Sequence, residues 1–239
     1  MAFSKKESAI SFLKHSKTRS PEALRWIHPQ KYKCHIGTSG IGMLGFAEKM
    51  LRQQKQGYEI HPFKTLQDGN YVAAFSTHQE TLPVIYIDIL RFYGDKIIEH
   101  WENHIKFGDS AIVIEILSDS DNESISGKGQ NKKRAQELIH EGLVLKNVNM
   151  FKTAINTDHF SYINLNSDLG ILHVNQFPLI ARSLKKKSYH SVLNVIAEGS
   201  LALACSEGSI NEVPCILIDI FKFHKKELIQ LVQLNSESK

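Results

Sequence analysis

The sequence predicts an α+β protein built as two tandem units, each a curved, antiparallel-rich sheet wrapped on helices. Three observations predict it: a long internal repeat, helices that precede strands in each half, and turn signals that set the strands side by side.

The repeat comes first. Asp68-Gly69-Asn70-Tyr71-Val72-Ala73-Ala74 is echoed by Glu198-Gly199-Ser200-Leu201-Ala202-Leu203-Ala204, 130 residues on. Leu82-Pro83-Val84-Ile85-Tyr86-Ile87-Asp88-Ile89-Leu90-Arg91-Phe92 is echoed by Val213-Pro214-Cys215-Ile216-Leu217-Ile218-Asp219-Ile220-Phe221-Lys222-Phe223, 131 residues on. One inserted residue in the intervening hairpin accounts for the difference. A weaker match, Gly42-Met43-Leu44 with Gly170-Ile171-Leu172, keeps the same order. A period this long indicates duplicated domains, since solenoid units are shorter. Residues 1–117 form the first domain and 131–239 the second. Residues 118–130, rich in Ser, Gly and acidic side chains without an apolar period, read as a linker. Residues 111–117 read as a short buried strand or an apolar tether.

Within the first half, residues 5–16 place Ala9, Phe12 and Leu13 at helical spacing. Ser20-Pro21-Glu22 supplies a cap acceptor, a first-turn proline and an acid for a second helix, which ends near Trp26 ahead of Pro29. A third helix is expected over 42–54. Strands follow over 58–66, 71–77, 84–92 and 96–103, with Asp68-Gly69 and Gly94-Asp95 as reversals. The second half predicts helices over 131–145 and from 150, then strands over 192–196, 201–206, 215–223 and 228–234.

Composition narrows the function classes. Of 239 residues, 42% are hydrophobic and 23% charged, an ordinary globular balance. Neither a signal peptide nor a membrane-spanning apolar run is legible, and three scattered cysteines suit a reducing compartment, so a cytoplasmic location is expected. The net charge of +4 gathers only in short clusters, 132–134 and 185–187, without interleaved aromatic residues, so no nucleic-acid partner is expected.

One segment carries most of the candidate chemistry: Glu99-His100-Trp101-Glu102-Asn103-His104. Alternation along a strand puts His100, Glu102 and His104 on one face and Glu99, Trp101 and Asn103 on the other. A one-residue bulge would exchange the faces, so which one lines a pocket stays open. A carboxylate desolvated beside aromatic walls makes a useful base near neutrality. His35 is the second candidate, and Trp101, Asp88, Tyr32 and Tyr86 are candidates for lining a ligand site. For each polar residue the plain alternative is a hydrogen bond that holds the core. No metal site is expected: His100 and His104 lie about 13 Å apart on a strand. Cys34-His35 is a poor nucleophile pair on extended chain, and residues 37–42 lack a phosphate-binding pattern. In the second half, Gln233, Leu231 and Ile163 stand at the positions of Glu102, His100 and His35, whereas Asp219 stands at that of Asp88. On this reading the second half has lost the site.

In order, Tyr32 and His35, Asp68-Gly69, Ile87-Asp88-Ile89-Leu90-Arg91-Phe92, Gly94-Asp95-Lys96-Ile97 and Glu99-His100-Trp101-Glu102 resemble the motif series of the SnoaL-like family, within the nuclear-transport-factor-2-like superfamily. The resemblance spans roughly 100 residues. It implies a cone-shaped, cystatin-like α+β barrel and cofactor-free aldol-type ring closure, with Glu102 as base and His100 and His35 assisting. Glu102 stands where the family has aspartate, and His35-Ile36-Gly37 where it has His-Asn-Pro. Two functions are therefore expected. One is a cofactor-independent lyase or isomerase acting on a small apolar carbonyl compound in the first domain. The other is a non-catalytic small-ligand-binding or scaffold protein. Duplication suggests a pseudo-dimer within one chain, with a homodimer as the alternative.

Overall fold

The computed structural model describes residues 3–35, 42–52, 59–78, 84–106, 114–117, 128–165 and 170–237. The glycine-rich segment 37–41 and residues 118–127 of the expected linker lie outside the described residues. The chain divides into two compact units, Met1–Asp119 and Ser120–Ser238.

The first unit opens with α1 (Lys5–Lys17). Ser4 starts it with a capping box: the Ser4 Oγ accepts from the Glu7 backbone N–H, and the Glu7 carboxylate accepts from that of Ser4. Ala9, Phe12 and Leu13 turn inward, and Lys17 closes the helix, itself buried. The expected second helix is a tighter 3-10 turn, Pro21–Trp26, with Ser20 as its cap. A two-residue strand β1 (Lys33–Cys34) and helix α2 (Met43–Arg52) follow.

Four long strands complete the unit: β2 (Ile60–Asp68), β3 (Tyr71–His78), β4 (Val84–Tyr93) and β5 (Lys96–Lys106). The sheet order is β1-β5-β4-β3-β2. Gly69 and Gly94 take φ of +59° and +61°, the left-handed backbone the two hairpins require. A bulge between Arg91 and Phe92 shifts the β4–β5 register beyond Glu99, toward the hairpin. Phe12, Leu13, Tyr32, Cys34 and Phe46 pack with Val72, Ala74, Leu90 and Phe92 in one core, which fixes the helix-covered face of the sheet. Residues 114–117 of the expected strand or apolar tether are helical, and residues 111–113 lie outside the described residues.

The second unit runs α3 (Lys128–Glu137), a π-helical stretch Leu138–Val144, α4 (Asn149–Ala154), β6 (Ser161–Asn164), β7 (Ile171–His173) and α5 (Phe177–Lys185). Strands β8 (Lys187–Glu198), β9 (Leu201–Ile210), β10 (Val213–His224) and β11 (Glu227–Glu237) complete it. The order is β7-β6-β11-β10-β9-β8. Lys128–Gln130, assigned above to the linker, form the first turn of α3. In this unit β6 pairs in parallel with β11 as β1 does with β5, so Tyr162 occupies the register position of Cys34, and Ile163 that of His35. Both units are thus α+β, with curved sheets of five and six strands, as the repeat and element order predict. No described helix is long and apolar enough to cross a membrane.

Candidate functional site

Antiparallel pairing sets Asp88 on β4 directly opposite Glu102 on β5, and Leu90 opposite His100. Alternation then carries Tyr86, Asp88, His100 and Glu102 to the face covered by α1. Asp88 and His100 are 0% and 1% exposed, while the Glu102 side chain keeps 17%. His100 Nε2 lies 2.8 Å from Asp88 Oδ1, and the Tyr32 hydroxyl lies 3.4 Å from His100 Nδ1. Phe12 and the imidazole ring meet edge to face, with centroids 5.3 Å apart.

Lys17 enters this group from the end of α1. Its ammonium pairs with the Glu102 carboxylate, stands 3.8 Å from Asp88 Oδ1, and lies 4.6 Å over the Tyr86 ring. Burial pushes the Asp88 carboxyl up, but the Lys17 charge and the His100 hydrogen bond prevail and hold it below the usual carboxylate value. Burial pushes His100 down, but its hydrogen bond to Asp88 and the neighbouring Cys34 thiol leave it raised above an ordinary histidine. Burial, reinforced by Cys34 and Asp88, raises the Tyr32 phenol well above its usual value. Asp88 Oδ2 is buried with no hydrogen-bond partner. Asp88, His100 and Glu102 bring three ligand-type atoms within 4.8 Å of one another, and the Lys17 ammonium stands against both carboxylates as their counter-charge.

The expected set is therefore divided. Glu102, His100, Asp88, Tyr32 and Tyr86 converge on the helix-covered face. His35 and Trp101 do not join them. Trp101 pairs with Ile89 on the opposite face, and the exposed His35 stacks flat on it, with centroids 4.6 Å apart and planes 3° from parallel. The backbone explains this: His35 N–H donates to the His100 carbonyl, which extends the β1–β5 pairing by one residue and points the His35 ring away from the His100 side chain. Lys17 was missed. A lysine in a last helical turn is ordinary complementation of the helix dipole, and nothing local marks it as a partner for residues 85 positions away.

The second unit, which lacks the His35, His100 and Glu102 set, also holds a buried polar centre. Asp219 is 0% exposed and faces Gln233 across β10–β11, as Asp88 faces Glu102. The Tyr162 hydroxyl donates to Gln233 Oε1 at 2.8 Å, and Gln233 Nε2 donates to Asp219 Oδ1 at 2.5 Å. The Tyr189 hydroxyl donates to the same oxygen at 2.9 Å. Ser183, on α5, lies 2.8 Å from the Tyr162 hydroxyl and accepts from Asn164 Nδ2 at 3.1 Å. Lys187, the first residue of β8, is also buried. Comparing halves singled out Asp219 and Gln233, whereas Tyr162, Asn164, Ser183, Lys187 and Tyr189 fall outside the matched repeat segments.

No family model and no curated protein sequence matches the chain. Solved structures do, each over about half of it, and they include SnoaL-like and nuclear-transport-factor-2-like proteins. A candidate ketosteroid isomerase from Kribbella flavida DSM 17836 is 10% identical, with a TM-score of 0.40, over 47% of this chain and 82% of its own. A candidate SnoaL-like polyketide cyclase from Jannaschia sp. CCS1 is 15% identical, with a TM-score of 0.39, over 48% and 90%. A nuclear-transport-factor-2-like protein of unknown function from Cytophaga hutchinsonii ATCC 33406 is 17% identical, with a TM-score of 0.37, over 44% and 89%.

Proposed function

We propose that the first unit is a cofactor-independent lyase or isomerase of the enolising type, acting on a small apolar carbonyl compound. The observation that carries this reading is the convergence of Asp88, His100 and Glu102 within 4.8 Å, with the Lys17 ammonium against both carboxylates. Glu102 keeps the exposure that contact with a substrate needs, and acts as the base. It takes the proton from the carbon beside the carbonyl, and the electron pair of the broken C–H bond moves through to the carbonyl oxygen. Lys17, released from Glu102 by the substrate, donates to that oxygen and holds its developing charge. Asp88 fixes the imidazole from Nε2 while Tyr32 faces Nδ1, so neither ring nitrogen has to reorganise during the step.

A second reading rests on the same lysine. Because Lys17 already pairs with Glu102, the network is electrostatically complete without a substrate, as in a non-catalytic binding module. Glu102→Gln separates the two. Screening small ketones for thermal stabilisation and for product, with wild type and variant side by side, gives loss of turnover with retained folding if the first unit is an enzyme. Stabilisation equal in both proteins, with no product from either, establishes the binding module instead.

A further inference from the structure

Two carboxylates and an imidazole share one ammonium at the end of α1. Asp88, His100 and Glu102 each offer one ligand-type atom, and the three atoms lie within 4.8 Å of one another. Paired strands bring them together: Asp88 on β4 stands opposite Glu102 on β5, and His100 lies two residues before Glu102 on the same face. Asp88 and His100 are buried, and the part-exposed Glu102 connects the group to solvent. Lys17 answers only part of the demand. Its ammonium pairs with Glu102 and stands 3.8 Å from Asp88 Oδ1, whereas Asp88 Oδ2 is buried with no hydrogen-bond partner. An unbonded carboxylate oxygen buried among ligand-type atoms calls for a cation of higher charge.

We infer that Asp88, His100 and Glu102 form a binding site for a divalent transition-metal ion of the zinc class, which enters in exchange for the Lys17 ammonium. Metal–ligand bonds of about 2.0–2.2 Å set the donors of a tetrahedral ion roughly 3.3 Å apart, inside the spread of these three atoms. The donor set selects the ion: imidazole beside carboxylates suits zinc or cobalt, whereas magnesium and calcium take oxygen ligands. Sequence spacing argued against a metal on His100 with His104, and cross-strand register supplies Asp88 in place of His104. With His100 Nε2 turned to the ion, the Tyr32 hydroxyl, 3.4 Å from Nδ1, accepts the remaining ring proton and orients the ligand. Lys17 can leave because it is the last residue of α1 and carries its charge on a flexible four-carbon stem. Ion and ammonium repel each other, so one excludes the other. Occupancy switches the unit off: the ion takes the Glu102 lone pairs that accept the substrate proton and expels the ammonium that holds the oxygen's charge. This inhibition rests on the enolising reading above, whereas the binding does not.

The test is titration of the full chain, first stripped with EDTA, with Co2+ alone, whose intense visible bands report four- or five-coordination. Wild type is expected to show these bands and to saturate them at one ion per chain. Lys17→Met tightens binding by about tenfold or more, because the competing charge is gone. His100→Gln and Glu102→Gln each weaken it by at least about tenfold, since loss of even an outer-shell partner costs roughly 10–100-fold. If His100→Gln does not fold, Glu102→Gln, at the part-exposed ligand, carries the same test. Bands unchanged in the ligand variants put the ion on other histidines and overturn the inference, as does absence of bands from wild type. Binding is read without a ketone, so the two readings fail separately. Cobalt bound at this site, with no proton exchange from any ketone, retires the enolising reading and keeps the metal site. Ketone exchange that persists in EDTA, in a protein that binds no cobalt, does the reverse.

Discussion

Lys17 decides what the first-unit carboxylates can do. It is the only cation within ion-pair distance of both Asp88 and Glu102 among the described residues, and its own side chain is 7% exposed. Lys17→Met removes that charge and leaves Asp88 buried against a second carboxylate. We expect a loss of about 3 kcal/mol in chemical denaturation, the scale for breaking one side of a buried pair. The Asp88–His100 pair gives a pH dependence with a definite sign. The folded His100 is raised above its unfolded value, so its contribution is complete below about pH 6.5 and fades as pH rises through the folded pKa. Asp88 is lowered, so its contribution holds above the ordinary aspartate value and is lost as pH falls through the folded one. The stability difference between wild type and His100→Gln should therefore be larger near about pH 6 than near about pH 9, as read from denaturation midpoints. A difference that grows toward alkaline pH would contradict the pairing. The sequence made His100, Glu102 and Asp88 legible because strand alternation depends only on local spacing. It hid Lys17, because a lysine's stem reaches several ångströms and its partner is chosen by tertiary packing.

The four hairpin strands of the first unit begin and end within a few residues of their expected limits, since Asp-Gly and Gly-Asp turns fix both ends of the alternating pattern. β8 was seen only over its last part. Bulges between Tyr189 and Ser191 and between Val192 and Asn194 break its alternation, and Lys187 and Tyr189 lie ahead of that break. Helix α5 was missed although Phe177, Ile180 and Leu184 are buried at helical spacing and Pro178 stands at its start, a signal that was there to be read. The π-helical stretch leaves no sequence mark except Gly142. A Cβ added there would meet the Phe151 ring at 2.5 Å, so the glycine permits close packing of the stretch against α4. Gly142→Ala, ordinarily stabilising in a helix, is expected here to cost about 1–3 kcal/mol, measured by chemical denaturation. A stabilised variant would show that the ring moves aside freely.

Across the whole chain, duplication has kept one aspartate and changed nearly everything around it. Asp88 and Asp219 are both fully buried, each with Oδ2 unpartnered, and each has a buried lysine acting on it. The lysine comes from the end of α1 in the first unit and from the start of β8 in the second. In the first unit the lysine is bonded to a carboxylate, and the result is an ionic network. In the second the cross-strand partner is an amide, and the lysine stands unbonded. The two centres should therefore respond separately: Lys187→Met is expected to leave the proton abstraction proposed for the first unit unchanged, and Glu102→Gln to abolish it. Coupled losses, with both proteins folded by circular dichroism, would contradict this division of labour.

Proton abstraction by Glu102 is the central claim, and it is measured most directly as hydrogen–deuterium exchange. A panel of small apolar ketones is held in D2O with the protein, and deuterium incorporation beside the carbonyl is followed by NMR. We predict exchange above the buffer rate for wild type, and a fall to the buffer rate in Glu102→Gln with the fold retained by circular dichroism. Exchange that persists in the variant, or wild-type protein that binds a ketone yet leaves its protons in place, would contradict the account.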